Sequence, residues 1–457
     1  MYCRNGKNKG TSSQTEFTSR SDSPLLTGNS DDSGKNPQRK LLLMSERSRF
    51  LTCIILAAIV ICGILSMLRS TDTEPERDLD NVLAVLFDKE ASSSSEVNQN
   101  DNQFISDNNF YTVIFDGGST GSRVHIFHFR KRQHGSLPYL VKEIYNYTRF
   151  GLSAYAQNPV EVYQLFMKSP LHVGPFEQSV TILEGAYEGI YLWQAVNFLK
   201  GSFSPLSEGS SGVIDLGGGS IQVTYSPQEL KSVIDRVDDR DIQEINVFGK
   251  SYFLFVHSYL GNGLLVALQG ILEIESAMNS VQSTRKDKNQ GFYSSVCLPP
   301  LFSGKFKFGD KDTTVSGIEP VVSEDVYEQC TDLAKMFLDK KPIQTLPEGT
   351  RTGSFIAAGY FISRGTKYKL VDEANAEISV TVGEIKEHTE KACNYLNIYT
   401  SNPFECLELA YISSFLSYGF GLHDSAQILI QDKINNVETS WALGAAFHIF
   451  QNYNNNR

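Results

Sequence analysis

Two short stretches of this sequence combine an aspartate, several glycines and a hydroxyl side chain in a pattern that suits phosphate chemistry. They read FDGGSTGS at 115–122 and IDLGGGS at 214–220, and their aspartates lie 99 residues apart. Apolar, β-branched residues precede and follow each stretch, which predicts two β-hairpins with glycine turns. Such a turn presents backbone N–H groups in one direction and binds anions. The sequence therefore predicts a phosphate clamp made of two hairpins.

The aspartate in each hairpin indicates a second ligand. An ionised Asp can only accept hydrogen bonds, so beside a phosphate it repels unless a divalent cation lies between them. We expect Asp116 and Asp215 to be directed at one hydrated cation. An ordinary Asp-Gly hairpin with no ligand is the alternative for either copy taken alone. Two copies in matching strand contexts favour the clamp.

Composition bounds the class of protein. The chain has 457 residues, 41% of them hydrophobic, which is enough for two domains with extensions. Its net charge of −11 argues against a nucleic-acid-binding protein, which needs a basic surface.

The N-terminal region predicts a membrane anchor. Residues 50–68 form a run of 19 residues without a charge, about the length of a membrane-spanning helix. A buried core helix is the alternative, but polar segments flank the run on both sides. Basic residues precede it and acidic residues follow it, so we expect 1–49 to be a disordered cytosolic tail and 69–109 a luminal stalk.

Cysteines and a glycosylation motif agree with that topology. Four cysteines lie on the predicted luminal side, where disulfides form, and all three pairings of them stay open on this reasoning. Asn146 begins the tripeptide NYT, an acceptor motif for N-glycosylation in that compartment. Two further segments predict helices, one starting near Glu188 in EGIYLWQAVNFLKG and one in the C-terminal ETSWALGAAFHIF.

Four ordered motifs resemble those of a known family. VIFDGGSTGSRVHIF, EGIYLWQAVNFLKG, GVIDLGGGSIQVTY and NNVETSWALGAAFHIF are similar to the first, third, fourth and fifth motifs of the nucleoside triphosphate diphosphohydrolases, the apyrase and guanosine diphosphatase family. The likeness is to the single-anchor nucleoside diphosphatase branch. It implies a two-lobed, actin-like α/β fold, with 110–206 and 430–457 in a shortened first lobe and 207–429 in the second.

The resemblance also implies a role for each motif residue. Glu188 would be the general base, and Ser220 and Gln222 would position the attacking water. Asp116 and Asp215 would hold Ca²⁺ or Mg²⁺ through water. The phosphate-binding residues would be Gly118, Ser119, Thr120, Gly121, Ser122, Gly217, Gly218, Gly219 and Ser220.

Residues of the second lobe complete the implied set. The family stacks its nucleobase between two aromatic rings, for which Phe420 and either Tyr360 or Phe361 are the matches. Its two disulfides correspond to Cys297 with Cys330 and Cys393 with Cys406.

One family motif is absent. Only 23 residues, 157–179, stand where the family carries a longer segment with a Thr-Ala-Gly-x-Arg motif.

The leading expectation is metal-dependent hydrolysis of nucleoside diphosphates or triphosphates. The protein would be a single-pass type II protein of the Golgi or another secretory membrane, with a cell-surface or secreted form as variants. The alternatives are a nucleotide-binding protein with impaired catalysis and a phosphotransferase. The partners expected are nucleotides and the membrane, and no nucleic acid.

Overall fold

A computed structural model of the chain describes residues 2–3, 109–118, 121–131, 137–148, 181–204, 207, 209–227, 238–282, 292–308, 311–319, 325–370, 378–394 and 402–455. They all belong to one compact unit, made of residues 1–5, 108–156 and 177–457. The predicted tail, anchor and stalk lie outside the described residues, apart from residues 2, 3 and 109. Among the helices that are described, none has the length and apolar character to cross a membrane.

The first sheet carries the first predicted hairpin. It consists of β1 (Tyr2–Cys3), β2 (Asn109–Gly117), β3 (Ser122–Arg130), β4 (Tyr139–Thr148) and β5 (Thr181–Ile182). Their order across the sheet is β4-β3-β2-β1-β5. The strands β2, β3 and β4 are antiparallel, and β1 runs parallel to both β2 and β5.

The second sheet carries the second hairpin. It consists of β6 (Gly212–Leu216), β7 (Ser220–Tyr225), β8 (Ile242–Val247), β9 (Lys250–Leu260), β13 (Ser354–Gly359), β14 (Ile378–Thr381) and β15 (Gln427–Ile430), in the order β14-β15-β13-β6-β7-β9-β8. A small sheet consists of β10 (Phe292–Ser295), β11 (Ser303–Phe308) and β12 (Lys311–Gly317). A two-stranded ribbon consists of β16 (Lys433–Ile434) and β17 (Val437–Glu438).

Seven α-helices are described along these ranges. They are α1 (Gly185–Leu199), α2 (Leu264–Gln282), α3 (Val326–Lys340), α4 (Tyr360–Lys367), α5 (Val382–Asn394), α6 (Glu405–Ser414) and α7 (Ala442–Asn455). A π-helical turn, Phe415–Gly419, continues α6. The prediction of a mixed α/β fold is confirmed, whereas the two lobe boundaries stay a prediction.

Both faces of the second sheet are buried. Because side chains alternate along a strand, Ile214 and Leu216 of β6 belong to one core, called here the first core, which also includes buried residues of α2, α3, α5 and α6. Val213, on the other face, belongs to a second core with residues of α1, α7 and the first sheet. Helix α1 therefore lies between layers and is buried almost all round, as an apolar helix in a protein interior is.

The predicted hairpins are present and the predicted helices differ at their starts. Helix α1 begins at Gly185 rather than near Glu188, directly after the extended Glu184. At the C-terminus the helix begins only at Ala442, because Glu438 pairs with Lys433 in the ribbon of β16 and β17. The Ser440 hydroxyl accepts a hydrogen bond from the Ala442 N–H, at 3.2 Å.

Two disulfides cross-link the first core. Cys297 is joined to Cys330 of α3, and Cys393 of α5 to Cys406 of α6. This is the pairing that the family resemblance implies. The sulfur atoms of Cys297, Cys330 and Cys406 all lie within 4.8 Å of one another in the buried interior. The two bridges therefore fasten α3, α5 and α6 at one point.

The crossing of α1 and α7 depends on a glycine. A Cβ atom at Gly444 would lie 2.1 Å from the carbonyl oxygen of Tyr191. We expect Gly444→Ala to push the helices apart and to lower the free energy of unfolding by about 1–3 kcal/mol, as overpacking does. Gly349→Ala is the control, because no atom lies within 4 Å of its added Cβ. Urea unfolding followed by tryptophan fluorescence measures both, and equal stabilities would contradict the prediction.

Candidate active site

The first hairpin places Asp116 at the end of β2. Asp116 pairs across the hairpin with Arg123, and the Gly118 N–H donates to the Gly121 carbonyl at 2.9 Å to close the turn. Asp116 is 3% exposed, and its Oδ2 accepts a hydrogen bond from Arg123 Nη1 at 3.1 Å. Its Oδ1 is buried and has no hydrogen-bond partner among the described residues. Two predicted phosphate-binding residues, Ser119 and Thr120, lie outside those residues.

The second hairpin has the same form. Asp215 on β6 pairs with Gln222 on β7, and the Gly217 N–H donates to the Ser220 carbonyl at 2.9 Å. Residues 217–219 form the turn, called here the glycine loop. Within the described part of the chain, the N–H groups of Gly218 and Gly219 donate to no acceptor. The glycine loop therefore keeps backbone donors available for an anion.

Neighbouring backbone donors hold the carbonyl groups of the glycine loop. The Leu264 N–H donates to the Gly217 carbonyl at 2.8 Å, and the Leu265 and Val266 N–H groups donate to the Gly218 carbonyl at 3.1 and 3.2 Å. The N–H groups in the first turn of α2, which have no acceptor within the helix, thus donate to this loop.

The turn that precedes α2 completes the support. The Gly261 N–H donates to the Gly219 carbonyl at 2.8 Å. A Cβ at Gly263 would lie 2.3 Å from the Ser220 nitrogen, so only glycine permits this approach of backbone to backbone. Sequence reasoning missed this support, although the Gly-Asn-Gly of 261–263 was a signal for it.

A polar row extends from the second hairpin across the sheet. Asp215, Gln222 and Ser258 lie opposite one another on β6, β7 and β9 and so share a face. Gln222 Nε2 donates to the hydroxyl groups of Ser220 at 2.8 Å and of Ser258 at 3.1 Å. The Gln222 Oε1 is buried, and no described residue donates to it. This assignment of the amide leaves Oε1 as an acceptor for a water proton.

Helix α1 covers this row with its first turn. A Cβ at Gly185 would lie 2.0 Å from Ser258 Oγ, and one at Gly189 would lie 2.5 Å from Thr224 Oγ1. Glu188 is one helical turn from Gly185 and therefore lies on the same side of the helix. It is 3% exposed. The structure thus brings a buried carboxylate to the sheet face that carries Asp215 and Gln222.

A glycine at the end of β13 shapes the space around Asp215. Gly359 lies opposite Leu216 and has a φ of +70°, a conformation that favours glycine. A Cβ there would lie 2.5 Å from Asp215 Oδ1 and 2.4 Å from the Leu216 carbonyl oxygen. Sequence reasoning did not single out Gly359, which directly precedes the predicted Tyr360.

The predicted nucleobase residues occupy different environments. Tyr360 is half-buried, with the Arg364 guanidinium 4.7 Å from its ring centre. Phe361 is buried in the first core. Phe420 is fully buried, with its ring 5.8 Å from those of both Phe415 and Tyr259. Tyr360 is therefore partly exposed, whereas Phe420 is enclosed in the interior.

The ring of Tyr360 has a rigid support. Arg364 donates from Nε and Nη2 to both carboxylate oxygens of Glu408, at 2.6 and 2.7 Å. Burial is the largest single influence and would lower the pKa of Arg364, but the charge of Glu408 and its hydrogen bonds, together with Tyr368 and Tyr360, outweigh it, so the pKa is raised. Such a two-pronged pair holds the guanidinium plane in one orientation beside the ring.

Asn146 occupies a strand and not a loop. It lies half-buried on β4, and its Oδ1 accepts a hydrogen bond from the Tyr147 N–H at 2.8 Å. Its glycosylation stays a prediction.

The site combines two glycine hairpins, each with a buried aspartate, and a buried carboxylate on a polar sheet face. These are features expected of a protein that binds phosphate groups. The sequence profile of the GDA1/CD39 (nucleoside phosphatase) family matches residues 102–173 and 164–457. The chain therefore belongs to the GDA1/CD39 family of nucleoside phosphatases, which confirms the resemblance seen in the motifs.

Individual relatives agree with this family. Ectonucleoside triphosphate diphosphohydrolase 5 of Ailuropoda melanoleuca is 30% identical over 406 residues, which cover 76% of this chain and 89% of the relative. The nucleoside diphosphate phosphatase ENTPD5 of Homo sapiens is also 30% identical over 406 residues, with the same two coverages. Among solved structures, a nucleoside triphosphate hydrolase from Neospora caninum is similar with a TM-score of 0.49 and 13% identity, covering 83% of this chain and 98% of that one.

Gly359 offers a test of the Asp215 environment. We expect Gly359→Ala to displace the Asp215 carboxylate, because the new Cβ would lie 2.5 Å from Oδ1. Phosphate release from a nucleoside diphosphate should fall about tenfold or more, since small misplacements at a reacting centre cost that much. Gly249→Ala is the control. It meets the same backbone strain, with a φ of +85°, but has no atom within 4 Å of its Cβ. Equal loss in both variants would show that strain alone is responsible.

Proposed function

We propose that this protein hydrolyses nucleoside diphosphates, and also triphosphates, to monophosphate and orthophosphate with a water molecule activated by Glu188. One observation carries the proposal. Glu188 is buried on the sheet side of α1, where the register of β6 and β7 aligns Gln222 with Asp215 beside the glycine loop. Hydrolysis needs a carboxylate that removes a proton from water in line with the leaving group. A buried carboxylate over a polar face fits that need.

The surrounding residues have complementary roles in this proposal. The N–H groups of Gly218 and Gly219 bind oxygens of the terminal phosphate and stabilise the charge that develops on them. Gln222 donates its amide hydrogens to the hydroxyl groups of Ser220 and Ser258. Its Oε1 is therefore directed away from these two hydroxyl groups and can accept a hydrogen bond from water. That oxygen orients the water whose proton Glu188 accepts. Tyr360 supports the nucleoside through its accessible ring.

A divalent cation, Ca²⁺ or Mg²⁺, is the proposed cofactor. The residues present fit such an ion, because Asp116 Oδ1 is buried without a donor among the described residues and carboxylate oxygens suit hard cations. Asp116 and Asp215 would hold it through water. When bound, the ion supplies positive charge between these carboxylates and the phosphate chain. Arg123 keeps the Asp116 carboxylate in place through its 3.1 Å hydrogen bond to Oδ2.

The second candidate function is nucleotide binding without turnover. Its basis is the absence of a Thr-Ala-Gly-x-Arg motif anywhere in the sequence. An arginine that stabilises a transferring phosphoryl group contributes about 10³–10⁵-fold to the rate in other phosphoryl-transfer enzymes. The second candidate keeps both hairpins and therefore predicts tight nucleotide binding with no release of phosphate.

Glu188→Gln tests the proposed base. The purified full chain is given UDP with Ca²⁺ or Mg²⁺, and released phosphate is measured beside UDP affinity from calorimetry. We expect the variant to lose about 10²-fold or more in rate, as for removal of a general base, with affinity unchanged. Chelation of the cation should stop release by the unaltered protein.

Glu184→Gln is the matched control, because Glu184 is an exposed carboxylate directly before the same helix and caps no N–H group. It should keep the full rate. An unchanged rate in Glu188→Gln would exclude Glu188 as the base. Binding without release by the unaltered protein would favour the second candidate.

We also propose that the protein is a single-pass type II membrane protein of the Golgi or another secretory compartment, with its catalytic part in the lumen. Support comes from the uncharged run at 50–68, its basic N-terminal flank and the two disulfides.

Glycosylation of Asn146 tests this topology in cells. We expect peptide-N-glycosidase to reduce the apparent mass of the unaltered chain, because the NYT motif would face the lumen. Asn146→Gln and Thr148→Ala should each abolish that shift, whereas Thr148→Ser, which keeps the motif, should retain it. Absence of a shift in the unaltered chain would count against a luminal position for Asn146.

A further inference from the structure

A tyrosine in the core is connected to the glycine loop through one backbone group. The Tyr411 hydroxyl of α6 donates a hydrogen bond to the carbonyl oxygen of Asn262. Asn262 lies between Gly261, whose N–H donates to the Gly219 carbonyl, and Gly263, which contacts the loop backbone. The hydroxyl therefore fastens the middle residue of the turn on which the glycine loop rests.

The Tyr411 ring has a fixed position. It is fully buried, with its centre 5.8 Å from the ring of Phe337 on α3 and 5.4 Å from the ring of Phe415. Gly270 of α2 allows Phe337 to approach closely, since a Cβ there would lie 2.5 Å from the ring. Burial raises the pKa of Tyr411 well above its ordinary value, so the hydroxyl stays protonated and remains a donor.

Helix α6, which carries Tyr411, is itself anchored. Cys406 in its first turn is disulfide-bonded to Cys393 of α5, and Glu408 binds Arg364 of α4. The same helix thus reaches the residue that supports Tyr360 and the turn that supports the glycine loop. A rigid helix with these fixed contacts can hold a distant loop in one position.

We propose that Tyr411 is a positioning residue for phosphate binding, which sets the glycine loop through the carbonyl group of Asn262. The inference rests on the proposed function of that loop. Tyr411 touches no substrate in this scheme and takes no part in proton transfer. Its hydroxyl fixes the turn at 261–263, and this turn with the first turn of α2 fixes the carbonyl groups of the loop. The N–H groups of Gly218 and Gly219 are thereby held toward the phosphate.

Removal of the hydroxyl has a defined physical result. Tyr411→Phe keeps the ring and its packing but leaves the Asn262 carbonyl without its donor in a buried site. An unsatisfied buried acceptor is unfavourable, so the turn shifts or opens. The hydrogen bonds from Leu264, Leu265 and Val266 to the loop then break more often. Displacement of the loop weakens its contacts to the phosphoryl group, where small shifts have large effects on rate.

The first experiment measures the loop support without substrate. Hydrogen exchange of the full chain is followed in peptides that include Leu264, Leu265 and Val266. We expect these amides to exchange about fivefold or more faster in Tyr411→Phe, because exchange reports local opening. Thr389→Val is the control. It also removes a buried hydroxyl, which donates to the Ile385 carbonyl at 2.7 Å and lies 3.5 Å from the Leu409 carbonyl of the same helix α6, and which has no hydrogen bond to the loop among the described residues. The control should leave these amides unchanged.

The second experiment measures turnover of UDP by the same three proteins. We expect kcat of Tyr411→Phe to fall about tenfold, with KM changed about threefold or less, since the loop contributes most in the transition state. Thr389→Val should keep both constants while its melting temperature falls by a similar amount. If the two variants behave alike in exchange and in kcat, Tyr411 has no positioning role. If no protein releases phosphate, the proposed function fails, and the exchange experiment still decides whether Tyr411 sets the loop.

Discussion

Backbone hydrogen bonds to its carbonyl groups hold the glycine loop in one conformation, and the rest of the site depends on this constraint. Leu264, Leu265 and Val266 donate to the carbonyl groups of Gly217 and Gly218, and Gly261 donates to that of Gly219. Among the described residues, the N–H groups of Gly218 and Gly219 donate to no acceptor and so are left for a ligand. Without these bonds a glycine turn would adopt many conformations, because glycine has more conformational freedom than any other residue. The buried start of α2 removes that freedom. Rigid donors are what a phosphoryl-transfer site needs.

Burial of the polar residues follows from the same architecture. Asp116, Asp215 and Glu188 are all at least nine-tenths buried, which is unfavourable for charged groups in a protein interior. The large apolar cores on both faces of the second sheet offset this cost. The buried charged groups thus make this region less stable than its apolar packing alone would make it. This is common where groups are arranged for chemistry.

Much of the site could be predicted from the sequence because its signals are local. A hairpin needs only alternating apolar residues around a glycine turn, so both hairpins were predictable, and Glu188 stood in a recognisable motif. Contacts between distant segments left little such signal, because a motif such as the Gly-Asn-Gly of 261–263 indicates a tight turn but not the segment that it contacts. Ser258 became part of the site only through the register of β7 and β9. The support of the loop by 261–263 depends on α2 beginning beside it.

The sequence by itself determined the two glycine hairpins, the family and the four cysteines available for two disulfides, since these depend on residue type and short spacing. The tertiary structure decided which residues meet. It aligned Asp215 with Gln222 across a hairpin, buried Phe420 while leaving Tyr360 accessible, and placed Gly359 against the Asp215 carboxylate. Such contacts join residues far apart in the chain, and packing of helices on both faces of a sheet fixes them, which no local pattern records.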